Sequence, residues 1–201
     1  MYRELKIQMQ KPTPEEIERF RCSISGVEIP PPHADYSHVF SSRWPEVSHL
    51  SGDVAEFGVY NGGNCFSLAR ITGRRVWAFD TFEGIPEEDY KPGLDVDVPG
   101  KFKPDKLDLS TIHPIHGIVP VKGRFAQTLP WFPGPFPKFA MVLVDADLHE
   151  SMREVFMFLR YHMVPGGIVI VDDFPTHLGV RMAVDEYIPF ALNKHVKIVH
   201  G

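Results

Sequence analysis

The sequence predicts a doubly wound α/β domain with a mostly parallel sheet. Three observations carry that expectation. Five short apolar runs are close to continuous, with little polar alternation; helix-length segments lie between them; and four of the five runs carry Asp or Gly at or just beyond their ends. A run without polar alternation must be covered on both faces, as in a parallel sheet flanked by helices. Strands alternating with helices give the doubly wound architecture.

Taken in order, the elements begin with a short helix: Thr13 serves as N-cap, Pro14 holds the first helical position, and Glu16 stands three after the cap. Ile17 and Phe20 supply its apolar face. The stretch SISGVEIPPPHADYSH, with three consecutive prolines, then reads as an extended connection. Residues 1–51 are therefore an N-terminal arm, and residues 52–201 one domain. The strands are DVAEFGVY, RRVWAFD, GIVPVKG, KFAMVLVDAD and GGIVIVDDF. GGNCFSLARITG is the first helix between them. In ESMREVFMFLRYHMVPGG, helical spacing of Met152, Val155, Phe156, Leu159 and Met163 predicts a helix that Gly166 and Gly167 stop. The Pro- and Gly-rich segment from Pro86 to Gly117 has only a short helical stretch near 106–112 and reads as a substrate lid or an unstructured loop. WFPGPFP, residues 131–137, reads as a proline-stiffened apolar loop.

Composition removes several function classes. A formal charge of -5 and no Lys/Arg run provide no field for a phosphate backbone or an anionic bilayer. Neither nucleic acid nor membrane is expected as a partner; a small molecule is. No apolar run approaches the roughly 20 residues of a membrane helix, and the first residues lack a signal peptide's apolar core. Two separated cysteines, Cys22 and Cys65, suit a reducing compartment, so the cytoplasm is the expected location.

Chemistry gathers at strand ends. In open α/β sheets ligands bind beyond the carboxyl ends of the strands, where Asp80, Asp145, Asp147, Asp172 and Asp173 all fall. Any one of these can be a helix cap or turn residue. Three from neighbouring strands would repel one another unless protonated or bridged by a cation. Carboxylate oxygens suit a hard ion such as Mg2+, so Asp145, Asp172 and Asp173 are the candidate metal ligands. His113 and His116 are set aside as surface residues, since no His/Cys cluster of zinc spacing exists.

The stretch VAEFGVYNGGNCFSLAR ends a strand near Gly58 and opens a helix at Gly62 and Gly63, whose N-terminus can face a ligand. Glu56, Asn61, Gly62 and Asn64 are candidate cofactor contacts there. Asp80 follows 22 positions after Gly58, where an acid can accept hydrogen bonds from both hydroxyls of a ribose. The glycine spacing G-x-x-x-G-G differs from the G-x-G-x-x-G that holds a pyrophosphate, which favours a nucleoside cofactor without one.

EFGVYNGG, FDTFEGIP, KGRFAQTLP, VDADLHES, PGGIVIVDDF and GVRMAVDEYI, in that order, resemble the macrocin O-methyltransferase family of class I S-adenosylmethionine enzymes. The resemblance covers residues 52 to about 190. It implies a Rossmann-like methyltransferase fold, S-adenosylmethionine as cofactor, Mg2+ beside it, and a hydroxyl acceptor such as the vicinal diol of a sugar in a natural product. It also implies that Glu56 and Gly58 line the methionine end of the cofactor and that Asp80 holds its ribose. Thr81 and Phe82 would adjoin ribose and adenine, with Gly123, Arg124 and Phe125 on the adenine side, and Asp145, Asp172 and Asp173 holding the metal. The chain stops at HVKIVHG, where the family fold adds a terminal antiparallel hairpin; the sheet is then shortened, or a second copy in a homo-oligomer completes its edge.

Methyl transfer from a sulfonium needs an oxygen nucleophile held in line and relieved of its proton. His149, four residues after Asp145, is one candidate base because imidazole titrates near neutrality, and Asp145 is the other. Asp147 and Glu150 are candidate supporting or helix-start acids. Two rival classes stay open: a non-catalytic nucleoside-binding protein of the same fold, and a nicotinamide-dependent oxidoreductase whose tighter glycine motif is not found.

Overall fold

A computed structural model describes residues 34–106, 117–132, 138–174, 176–191 and 197–200. The Thr13 helix, all but the first residue of the helical stretch expected at 106–112, His113, His116 and residues 133–137 lie outside the described residues.

The chain runs α1 (Ser37–Val47), β1 (Asp53–Phe57), α2 (Gly63–Thr72), β2 (Val76–Asp80), β3 (Ile118–Lys122), α3 (Phe125–Thr128), β4 (Phe139–Val144), α4 (His149–His162), β5 (Met163–Val171), α5 (Leu178–Ala191) and β6 (Lys197–His200). The sheet order is β3-β2-β1-β4-β5-β6, and every pairing is parallel. All five expected strands are present. Among the described residues no strand is antiparallel, and β6 pairs directly with β5, matching Ile168 to Lys197 and Val171 to His200.

Why the runs look continuous is visible in the core. Every residue of β4 is buried. Val142 and Val144 point into one cluster with Val169, Val171, Phe156 and Val184, while Met141 and Leu143 point into the other with Ile168, Ile170, Leu68 and Phe40. Alternation is thus between two apolar layers, with α4 and α5 on one face and α1 and α2 on the other. The second layer includes Phe40 and Val47, so the described part of the N-terminal arm is built into the same core.

One element boundary differs from expectation. Met163, expected as the last apolar residue of a helix, instead opens β5, and Gly166 and Gly167 lie inside that strand. Pro165 disfavours helical geometry at the residue before it, and Met163 is already extended, with ψ of 142°. A side chain at Gly167 would crowd the Ala140 carbonyl of β4 at 3.0 Å, so the glycine permits close strand approach and stops nothing.

Candidate active site

The carboxyl ends of β1, β2, β4 and β5 open into one cavity of about 420 Å³. Its wall comes from the strand-end acids, the turn into α2, and the segment from Gly84 to Phe102. That segment, expected as a lid or an unstructured loop, is folded as part of the wall. Its base is tied by Ile85 N–H to the Lys101 carbonyl and Gly100 N–H to the Ile85 carbonyl, both 2.9 Å.

On the β1–β2 side the cavity is organised by main chain. Gly58 has φ of +85°, and a Cβ there would overlap the carbonyl oxygen of Asp145, the residue after β4. Contact between strand ends therefore demands the glycine, whatever the ligand. Gly62, with φ of +81°, caps α2. The Asp80 carboxylate accepts Val59 N–H at 2.6 Å and Tyr60 N–H at 3.1 Å on Oδ2, and Phe82 N–H at 2.6 Å and the Thr81 hydroxyl at 3.3 Å on Oδ1. The three N–H groups take most of the roughly four acceptor positions a carboxylate offers, while the single Thr81 hydroxyl proton has a nearer acceptor in the Gly84 carbonyl at 2.7 Å.

Of the sequence-predicted cofactor residues, Glu56, Gly58, Asn61, Asn64, Asp80, Thr81 and Phe125 line the cavity. Gly62, Phe82, Gly123 and Arg124 stand outside its lining. Gly123 N–H bonds the Asp80 carbonyl at 2.9 Å, and the Arg124 guanidinium is paired with Asp89 and, at 3.2 Å, with Glu88. Asn61 uses its amide on the Asp105 carboxylate and on the N–H groups of Asp105 and Lys106. Glu56 is buried, its Oε2 has no hydrogen-bond partner, and burial foremost pushes its carboxyl up to about 8.

The β4–β5 side is different. Asp145, Asp147, Asp172 and Asp173 all line the cavity, and among the described residues nothing donates to the carboxylates of Asp145 or Asp147. Burial, then the charges of Asp147 and Asp172, hold the Asp145 carboxyl well above the usual range. Asp147 has φ of +57°, rare for a residue with a side chain, and its carboxyl is pushed up to about 8 by burial and then by Asp97. Asp172 Oδ1 accepts the Tyr36 hydroxyl and, at 2.7 Å, Asp173 N–H. Asp173 faces His177 Nδ1 at 3.2 Å. The chemistry of these acids suits a hard cation, but as placed, among the described residues no three acids, histidines or cysteines converge on an ion site.

His149 is not brought to the cavity. Its ring nitrogens meet Lys91 Nζ and Glu186 Oε2, each at 3.2 Å, and its N–H donates to Asp95 at 2.9 Å. Spacing of four places residues on one face only within a helix, and α4 begins at His149 itself, after a left-handed Asp147. The expectation that His149 faces the same space as Asp145 therefore fails.

Sequence reasoning missed three cavity residues and one behind the wall. Asp97, Lys101 and His177 line it; His177 Nε2 lies 3.2 Å from Asp97 Oδ2, and Lys101 pairs with Asp97. Tyr36 reaches Asp172 from the arm. Only Asp97 and Lys101 carried a signal, since they sit in the segment read as a lid.

The all-parallel order β3-β2-β1-β4-β5-β6, with acids on its carboxyl edge, is the doubly wound architecture that class I methyltransferases share with other nucleoside-binding proteins. The Macrocin-O-methyltransferase (TylF) family model matches residues 45–112 and 117–195, and the chain belongs to that family. A relative is the 8-demethyl-8-(2,3-dimethoxy-alpha-L-rhamnosyl)-tetracenomycin-C 4'-O-methyltransferase of Streptomyces olivaceus, 29% identical over 69% of this chain and 58% of its own length. The chain spans about three-fifths of the length of the curated relatives it matches. Among solved structures, the calicheamicin methyltransferase CalS11 superposes with a TM-score of 0.63 at 20% identity, over 88% of this chain and 86% of that one. TomG from Streptomyces achromogenes, solved in complex with SAM, gives 0.52 at 18% identity, over 94% and 82%. Among the described residues no helix is long and apolar enough to cross a membrane.

Proposed function

We propose that this chain transfers the methyl group of S-adenosylmethionine to a hydroxyl of a small molecule, with a sugar unit of a natural product as the acceptor class. The observation that carries this is the two-sided cavity: a nucleoside-type turn with Asp80 on one side and unpaired acids on the other. The rhamnosyl group in the tetracenomycin relative's name suggests the sugar. Asp80 is the proposed ribose acceptor; a diol there replaces its two longest contacts, from Thr81 and Tyr60. Phe125 gives the adenine a face, and the buried Glu56 oxygen awaits the methionine amine.

The acceptor then occupies the side lined by Val96, Asp97, Lys101, Phe102, Asp147, Asp173 and His177. That mixture suits a sugar, whose hydroxyls want donors and acceptors while its C–H faces rest on apolar side chains. Asp147, with its carboxyl near 8, is a proton acceptor matched to neutral pH; Asp145 is its neighbour in the same role. Both acids also complement the sulfonium before transfer. Mg2+ enters on donor chemistry alone: Asp145, Asp172 and Asp173 would have to draw together to hold it, and it would then supply a Lewis acid for the acceptor hydroxyl.

Calorimetry of S-adenosylmethionine and S-adenosylhomocysteine, with and without Mg2+, tests this. Micromolar binding that Asp80→Ala abolishes is expected, and no binding at millimolar ligand overturns it. A non-catalytic nucleoside-binding role is the second reading, favoured if the cofactor binds but no methyl transfer to a panel of glycosides is seen.

A further inference from the structure

The N-terminal arm enters the active-site wall through a pair of hydrogen-bonding side chains that the chemistry above does not use. Tyr36 is buried, 6% exposed, and its hydroxyl donates to Asp172 across 136 positions of sequence. Its N–H donates to Asn64 Oδ1 at 3.2 Å, and Asn64 Nδ2 donates to the Ala34 carbonyl at 3.0 Å. Asn64, itself buried at the first turn of α2, thus bonds the arm through both ends of its amide, and its side chain also bonds the Glu56 carboxyl. Ala34 lines the cavity beside Glu56, whose Oε2 is the buried oxygen without a partner.

These residues share one end of the cavity. The proposed ribose and adenine contacts, Asp80 and Phe125, follow β2 and β3. In the order β3-β2-β1-β4-β5, a ligand anchored there and extending across β1 ends between the first turn of α2 and the tips of β4 and β5. The arm covers that end.

We propose that the Ala34–Tyr36 segment, latched by Tyr36 onto Asp172 and by Asn64 onto its own main chain, encloses the amino-acid portion of the cofactor, with Tyr36 as a positioning residue. The hydroxyl of Tyr36 fixes the carboxylate by Oδ1, and the latch keeps water from the Glu56 oxygen that receives the amine. This rests on the S-adenosylmethionine reading above.

Two ligands separate the latch from general stability. S-adenosylhomocysteine carries the amino-acid portion; 5′-methylthioadenosine has the same nucleoside and thioether without it. Tyr36→Phe and Asn64→Ala of the full chain are each titrated with both by calorimetry, after a thermal melt confirms folding, and the homocysteine ligand's dissociation rate is followed by stopped flow. The expected result is an affinity for S-adenosylhomocysteine weaker by about tenfold or more, through faster dissociation, with 5′-methylthioadenosine within about twofold of wild type. Should Tyr36→Phe fail to fold, Asn64→Ala carries the test alone. Equal loss for both ligands, or none for either, overturns the latch while leaving the cofactor reading intact. Wild-type protein that binds neither ligand overturns both.

Discussion

Asp80 and Asp145 end strands two apart in one sheet and face one cavity, yet they live in opposite circumstances. Asp80 has three main-chain N–H donors, from its own and the neighbouring turn. Asp145 is half-buried with no donor to its carboxylate among the described residues and with Asp147, Asp172 and Glu56 as acidic neighbours. One carboxylate holds the fold together and the other is held against its preference by the fold. The lesson is that a strand-end acid in this architecture is supplied with donors or left without them according to whether the loop after it turns its amides back.

The largest expected effect tests the junction between the two sides. Gly58→Ala forces a methyl group onto the Asp145 carbonyl, where backbone is the obstacle and φ of +85° adds strain. A loss above about 4 kcal/mol is expected, read as a collapse of the urea midpoint or failure to fold; a normal midpoint would break the account of that glycine.

Next comes the contrast itself. Asp80→Ala strands three buried-side N–H groups and is expected to cost about 2–4 kcal/mol. Asp145→Asn removes a carboxyl whose ionised form burial and acidic neighbours disfavour, so it is expected to raise stability at pH 8 by about 1–2 kcal/mol, while methyl transfer falls about a hundredfold or more. If both substitutions move the denaturation midpoint in the same direction, the comparison is wrong.

Glu56 sharpens it through pH. Its folded-state carboxyl titrates near 8, above the ordinary value of 4.5. Between those values the unfolded chain has released a proton that the folded one still holds, so stability falls as pH rises from about 5 to about 8 and levels beyond. Glu56→Gln is expected to flatten a decline on the order of 3 kcal/mol in melts across that range. The smallest effect belongs to Asp95, whose carboxylate accepts the first N–H of α4 at 2.9 Å; Asp95→Asn is expected to cost about 1 kcal/mol or less, visible as a shift of a few degrees in the melt.

Much of this was legible in the sequence, for a physical reason. Five near-continuous apolar runs leave only a sheet covered on both faces, and acids at their ends have only the open edge to occupy, so the strands and the strand-end acids of the cavity followed from local pattern. α1 was hidden because SHVFSSRWPEV has a weak apolar stripe and a proline near its end, although Phe40 and Val47 are buried by tertiary contact.

What the sequence by itself determined is the doubly wound parallel fold and the identity of the acids on its edge, since both follow from hydrophobic periodicity and the positions at which it stops. Only the tertiary structure decided which groups those acids meet. It turned His149 toward Lys91 and Glu186, placed His177 against Asp97 eighty positions away, and brought Tyr36 to Asp172. Such pairings are set by backbone paths through turns with left-handed residues such as Asp147 and Gly58, and no spacing rule along the chain encodes where a side chain points after a turn of that kind.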